Sequence, residues 1–340
     1  MVLSKLLGRS DDQVVRRHGL THGDAWHDPE LAAALPVVLD GDVASGLALL
    51  SVDDPQLRAM RLHLLSKEGT ALLGTLEAGM DQPDPEPDLL MWAGVTRIRA
   101  AWAIRSGRWA KDVGHDRFER FRETLAPAFE PLAYAARMSL TPTALDQLQW
   151  FGLGSGMARE ELDHLWERIV ALDPRHHASL ESRLQVLSRK WSGSEEQMFA
   201  FAREVVREAP AGDRSLVLVP QAHYEKALYW IREQEAETVG ETRDLLTIHY
   251  TETAVTAEIV AAADRWLEGD PDYPLVARDA HAFGSALALC FEDERAAAVL
   301  ERAGTVVPHG QGNLWGHMAR NPAAEYARTR RRLGVPLPAV

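Results

Sequence analysis

The sequence predicts an all-α protein built as an irregular array of helical hairpins, an α-solenoid. Apolar residues recur at steps of three and four through most of the chain. Breaks rich in proline, glycine and aspartate separate these stripes at short intervals, too often for long helices. The best strand candidate, Ser215-Leu-Val-Leu-Val-Pro220, is one short run without a partner and reads equally well as the opening of a helix after Asp213.

The clearest stripe runs from Leu89 to Arg105. Leu90, Trp92, Val95, Ile98, Ala101 and Trp102 share one face there, and Arg97, Arg99 and Arg105 are left to the flanks. Similar stripes run through Leu57–Leu76, Glu160–Leu172, Leu180–Leu187, Met198–Val206, Tyr224–Ile231, Leu245–Leu267 and Ala280–Phe291. Between them stand Asp53-Asp-Pro55, Asp173-Pro174, Ala209-Pro210, Gly269-Asp-Pro271 and Val307-Pro308. Gln82-Pro-Asp-Pro-Glu-Pro-Asp88 alternates proline with polar residues and resists packing, so it is expected to link an N-terminal helical region, 1–81, to a helical-repeat body, 89–340. A second boundary is conceivable near Arg232–Gly240, where four glutamates crowd a polar stretch that also suits a solvated helix end.

A repeat of hairpins should place apolar residues 5, 8 and 12 positions before each terminal proline. Pro55 has Leu50, Leu47 and Val43; Pro174 has Ile169, Trp166 and Leu162; Pro210 has Val205, Ala202 and Met198; Pro271 has Trp266, Ala263 and Ile259. Pro308 completes the set with Ala303, Leu300 and Ala296. Pro174 and Pro210 lie 36 residues apart, and Pro271 and Pro308 lie 37 apart. Both intervals are near the tetratricopeptide period of about 34 residues. With Gly284 and Leu287 in its first half, Ala280–Pro308 resembles a tetratricopeptide repeat, although Ala280 stands where that repeat has Trp.

A second resemblance lies in Lys190-Trp-Ser-Gly-Ser-Glu-Glu-Gln-Met-Phe-Ala-Phe-Ala-Arg203. This stretch is similar to a Lys-Trp-x-Gly-Ser-x-Glu-x-Met-x-x-Phe-Ala-Arg motif of uncharacterised bacterial, actinobacterial-type helical-repeat proteins, and Ala101–Val113 resembles another block of that group. The resemblance spans roughly residues 88–230. It implies a fold and brings no activity, cofactor or catalytic residue with it. In physical terms, Ser194 and Gln197 have capping-box spacing, Glu195 and Glu196 favour the helix dipole, and Trp191 sits where it can staple the helix start.

Composition narrows the function classes. The 340 residues carry a formal charge of −13, which argues against general nucleic-acid binding, because phosphate neutralisation needs surplus cations. The one basic cluster, Arg328-Thr-Arg-Arg-Arg332, reads as a solvated last helical turn. One cysteine excludes a disulfide framework and points to a reducing compartment, with Cys290 itself on an apolar helix side. No run reaches membrane-spanning length and the first ten residues lack a signal-peptide core, so a cytoplasmic location is the expectation.

Signals for chemistry are weak. His18, His22, Asp24, His27 and Asp28 are the densest set of possible metal ligands, but their spacing does not stack them on one helix face, and neither they nor His176-His177 make a metal motif. Gly152-Leu-Gly-Ser-Gly156 follows a helix-like stretch rather than a strand, so it reads as a turn between hairpin helices, not a phosphate loop. No cofactor, metal site or catalytic residue is assigned.

The more informative set is aromatic and charged: Trp102, Arg105, Trp109, His223, Tyr224, Glu225, Tyr229, Trp230, Arg232, His249, Tyr250 and Glu252. In stacked hairpins such residues line a concave groove and anchor a peptide or partner helix. The expectation is a regulatory or scaffolding protein that binds another protein or peptide, with a basic partner favoured by the acidic surface. The alternative is an enzyme with a His/Glu acid–base pocket between helical layers, although His223 and Glu225, two apart, point to different faces of a helix.

Overall fold

The computed structural model describes residues 15–105, 114–191, 193–308 and 313–337, and these form eighteen α-helices. The chain divides into two units, Asp28–Val186 and Met1–His27 with Leu187–Val340. Among the described residues no helix is long and apolar enough to cross a membrane.

The first unit contains α1 (Pro29–Leu39), α2 (Val43–Leu50), α3 (Pro55–Glu68), α4 (Leu73–Met80), α5 (Pro87–Arg105), α6 (His115–Leu125), α7 (Phe129–Met138), α8 (Pro142–Ser155) and α9 (Arg159–Leu172), and α10 (His177–Leu187) closes it. Its helix starts share a device. Asp28, Asp54 and Thr141 cap α1, α3 and α8 by accepting from backbone N–H groups, and each is followed by proline, whose missing N–H costs nothing in the first turn. Helix α5 forms the core. Leu90, Trp92, Val95, Ile98 and Ala101 of the predicted stripe are buried and Trp102 is half-buried, and α3, α4, α6 and α7 pack around the helix. At Gly94 a Cβ would stand 2.6 Å from Leu132 Cγ, so glycine there lets α7 lie close against α5.

The segment 82–88 does not separate units. It joins α4 to α5, which pack together, and Pro87 is the first residue of α5. The division falls instead before Asp28 and after Val186. The glycine run is also placed differently. Gly152 and Gly154 lie inside α8, where added Cβ atoms would crowd Leu162 and Leu125, and only Gly156 turns the chain, with φ of 77°. The stripe Leu57–Leu76 is interrupted at Gly69, which caps α3.

In the second unit come α11 (Glu195–Glu208), a short 3-10 turn at Arg214–Val217, α12 (Leu218–Glu233), α13 (Val239–Tyr250), α14 (Thr253–Glu268), α15 (Val276–Leu289), α16 (Asp293–Leu300), α17 (Trp315–Met318) and α18 (Pro322–Arg332). Ser194 caps α11 by accepting from Gln197 N, and Asp213 caps the 3-10 turn, so Ser215–Pro220 opens a helix. The Leu245–Leu267 stripe is two helices, because Thr251 and Glu252 break the chain between α13 and α14. Trp266, Phe283, Trp315 and Tyr326 are fully buried in the core. The only strands among the described residues are β1 (Thr21–His22) and β2 (Val306–Val307), which pair in parallel.

The hairpin α15–α16 keeps the expected contacts, with Leu287, Ala296, Leu300 and Ala303 buried. Its second helix stops at Leu300, however, and the residues before Pro308 are strand rather than helix. The basic cluster is a solvated last turn at Arg328, Arg331 and Arg332, which are exposed, but not at Arg330. The buried Arg330 donates to the carbonyls of Leu300 (3.2 Å), Gly304 (3.1 Å) and Pro336 (2.6 Å), while Arg332 pairs with Asp293 at 2.7 Å. The bond to Leu300 reaches the last carbonyl of α16, and those to Gly304 and Pro336 tie down the loops on either side of α18.

Gly284 sets the approach of α15 to α16, since a Cβ there would overlap Leu300 Cδ2 and Cγ. Alanine normally favours a helix over glycine by about 1 kcal/mol. Gly284→Ala is expected to reverse that sign and destabilise by about 1–3 kcal/mol, as overpacking does. Urea denaturation followed by far-UV circular dichroism measures it; an unchanged or raised midpoint would contradict the close approach.

Candidate functional site

Two arrangements combine chemically capable side chains or open surface, one in each unit. The first gathers part of the expected aromatic and charged set. Helix α12 carries His223, α13 ends with His249 and Tyr250, and α14 contributes Glu258. His223 Nδ1 lies 3.2 Å from His249 Nε2, and His223 Nε2 lies 3.3 Å from Glu258 Oε2. Arg203 of α11 donates to both oxygens of Glu258, from Nε at 2.7 Å and from a terminal nitrogen at 3.0 Å. Phe199, one turn before Arg203, stacks on His223 with ring centres 4.8 Å apart. The chain of partners therefore runs from the largely exposed Arg203 inward to His249, which is 1% exposed.

The proton positions follow from the partners. Glu258 can only accept, so His223 donates to it from Nε2–H, and His223 Nδ1 and His249 Nε2 form the second hydrogen bond of the chain. Burial disfavours the charged form of His249, and the nearby His223 and Lys226 add to this, lowering its pKa to about 3. Burial pushes the Glu258 carboxyl up, but the hydrogen bonds and charges of His223 and Arg203 outweigh it and hold the group at about 2. Tyr250, fully buried, has a hydroxyl pKa raised well above its ordinary value by burial, and its oxygen has no hydrogen-bond partner among the described residues.

The remaining expected residues lie elsewhere. Tyr224 is buried, with its hydroxyl 3.2 Å from His317 Nε2. Glu225 is buried too and pairs with Lys190 Nζ at 2.6 Å, so Glu258 rather than Glu225 is the carboxylate beside His223. Tyr229 lies under Arg189, 4.3 Å from the ring centre; Trp230 and Arg232 are half-buried near the end of α12; and Glu252 is exposed at the start of α14. Trp102 and Arg105 belong to the first unit, where Arg105 stacks over the Trp102 ring at 5.0 Å. Trp109 lies outside the described residues. Within the second unit the predicted groove anchors do not form an open face: five of them, His223, Tyr224, Glu225, His249 and Tyr250, are buried side chains.

Other candidates are occupied by structural duties. Asp28 caps α1 and pairs with the buried Arg61 at 2.7 Å. His176 lies between Thr143 (3.2 Å) and Ser179 (2.7 Å). Burial pushes the Cys290 thiol up to about 12, which makes it a poor nucleophile. No group of three or more possible metal ligands is present among the described residues.

The second arrangement is a groove in the first unit, about 680 Å³ in volume, over α7, α8 and α9. Ala136, Leu148 and Leu165 are its buried floor; Phe129, Ala133, Leu140 and Met157 are its apolar walls. Arg137, Glu160, Glu161, His164 and Arg168 surround them. Phe129 and Leu140 are 40% and 47% exposed, so large apolar side chains stand open to solvent. Nothing in the periodicity of the predicted stripes singled out this groove. Its signal is nonetheless legible: Phe129, Ala133, Ala136 and Leu140 form a second apolar row beside the buried row of Leu132 and Ala135. A helix apolar on two faces has two things to cover.

Comparison of the chain with family models, curated proteins and solved structures finds no match.

The buried histidines predict an acid-sensitive fold. His249 titrates near 6.5 when unfolded and at about 3 when folded, and His281 at about 4 when folded, so the unfolded chain binds more protons between these values. Their stabilising contribution is complete above about pH 6.5 and is lost as pH falls toward 4, by at most about 1.4 kcal/mol per pH unit for each group. Asp146, raised to about 7 by burial, works in the opposite sense between its unfolded value of 3.8 and 7. Urea midpoints at pH 7 and pH 5 should differ less in His249→Gln than in the parent chain, and equal differences would rule the titration out.

Proposed function

We propose that this chain is a protein- or peptide-binding helical-repeat protein, tetratricopeptide-like in kind, serving a regulatory or scaffolding role in the cytoplasm. Its recognition surface is the groove over α7, α8 and α9, not the aromatic and histidine set expected from the sequence. The carrying observation is the open apolar groove of about 680 Å³ with Phe129 and Leu140 exposed on its walls. Exposed apolar surface of this kind costs free energy in water and marks a contact site. An open groove leaves one side of an occupant in solvent, which suits an amphipathic helix better than a small molecule needing near-complete enclosure.

The occupant's chemistry follows from the rim. Phe129, Leu140 and Leu165 call for an apolar stripe at helical spacing. Glu160 and Glu161 call for basic residues at one end of that stripe, and Arg137 and Arg168 for acidic residues at the other. The net charge of −13 adds a longer-range preference for basic partners. Acid–base catalysis has less support, because a substrate would have to reach His223 or His249 and both side chains are buried.

A fluorescein-labelled synthetic helix with a leucine stripe, lysines at one end and glutamates at the other tests this. It should bind the dilute protein with micromolar affinity, and more tightly than a version with glutamates at both ends. Leu140→Glu should weaken it at least tenfold in an anisotropy titration. Equal binding by Leu140→Glu and the parent would reject the groove as the site.

A further inference from the structure

We propose that the occupant of this groove is a second copy of the same chain, the two copies being related by a two-fold axis. The proposal rests on the groove being a protein-recognition surface and names its partner. The turns 139–141 and 156–158 are short, so α7, α8 and α9 run up, down and up. Two contacts confirm the order: Phe129 at the start of α7 stacks on Phe151 near the end of α8 at 5.3 Å, and Gly152 lies against Leu162 at the start of α9. The groove therefore has two chemically different ends. Arg137, Leu140 and Arg168 stand at one, and Phe129, Glu160 and Glu161 at the other.

A surface that is basic at one end, acidic at the other and apolar between matches itself when turned through 180° about an axis through its middle. Glu160 and Glu161 then face the partner's Arg137 and the partner's Arg168, and the reciprocal contact forms at the other end. A side-by-side parallel arrangement would instead bring like charges together. The charges are free for this role: Arg137, Arg168 and Glu160 form no ion pair with any described residue, although Arg137 rests over the Tyr134 ring at 5.5 Å. Glu161 also accepts from the backbone N–H of Ala158, which holds it at the groove end. The apolar strip continues past the lining, since Leu172, 43% exposed, lies one turn beyond Arg168 on the same face of α9. A foreign partner would need this polarity by separate coincidence, whereas a second copy carries it by construction.

The test is the association state of the full chain by sedimentation velocity between 1 and about 100 µM, a range that brackets small apolar interfaces. The parent is expected to show twice the chain mass at the upper concentrations, and Leu140→Glu to sediment as a monomer throughout. Arg137→Glu/Arg168→Glu makes both groove ends acidic. Glu160→Arg/Glu161→Gln makes both basic while keeping a side chain able to cap at 161. Each of these is expected to dimerise at least tenfold more weakly than the parent, and an equimolar mixture of the two to form a heterodimer. Far-UV circular dichroism confirms that each variant is folded, as expected for exposed positions.

A monomeric parent at 100 µM would overturn the proposal, and so would a dimer that survives Leu140→Glu or a mixture that does not associate. A monomeric parent that still binds the synthetic helix would overturn the second-copy proposal and leave the groove as a recognition site. Failure of both would remove both.

Discussion

The close crossing of α5 and α7 at Gly94 decides which surfaces of the first unit are covered. Because no side chain separates the helices there, Leu132 packs onto the α5 backbone, and the row containing Leu132 and Ala135 is turned inward. A helix has only one orientation about its axis, so the opposite consequence is unavoidable. Phe129, Ala133 and Leu140 are turned toward α8 and α9, where no further helix among the described residues covers them. The cap at Thr141 contributes by stopping the chain sharply before Pro142, which leaves Leu140 exposed in a short turn. The groove is thus a by-product of good packing beneath it.

Buried polar groups serve a different purpose in the second unit. His281 has both ring nitrogens committed, Nδ1 accepting from Trp315 Nε1 at 3.0 Å and Nε2 donating to the Val306 carbonyl at 2.8 Å. Burial keeps the ring neutral, and the pairing ties β2 and α17 to α15. The His223–His249–Glu258–Arg203 chain does the same for α11 to α14, with the ionic members nearest the surface and the neutral histidine deepest. This ordering keeps charge where water can solvate it and leaves the interior neutral. Read this way, the cluster is an orientation device between helices. The same principle places the uncharged Ser182 against the buried Asp146 in the first unit, where burial alone favours the protonated acid.

Much of the helical architecture was legible in the sequence because the signals are local. Asp, Ser or Thr three residues before a backbone N–H, with proline next in line after Asp28, Asp54 and Thr141, marks a helix start whatever surrounds it. Helices also end shortly before Pro174, Pro210 and Pro271, as the hairpin test required. Where readings went astray, a nonlocal contact had the deciding influence. Arg330 looked like a solvated end residue but is buried, donating to the last carbonyl of a helix thirty residues earlier. Residues 82–88 looked like a linker but join two helices that pack on each other. Among candidate site residues, His223 and His249 were visible by type, and their meeting was not. Glu258 carried no signal, and Arg203 stood out only as the end of the Lys190 motif, because nothing in their neighbourhoods distinguishes a carboxylate or guanidinium facing a histidine from one facing water.

The amino-acid sequence by itself determined the helices, their caps and their breaks, together with an acidic surface balance. These depend on backbone preferences and on side chains three or four residues apart, which the chain cannot avoid bringing together. Tertiary structure alone decided that Tyr224, His249 and Tyr250 are interior and that Phe129, Leu140 and Leu172 are not. An apolar or aromatic residue at helical spacing announces only that one face of a helix must be covered. Which neighbour covers it depends on how closely two backbones approach, and here that distance was set by the absence of a side chain at Gly94 and by contacts between residues dozens of positions apart.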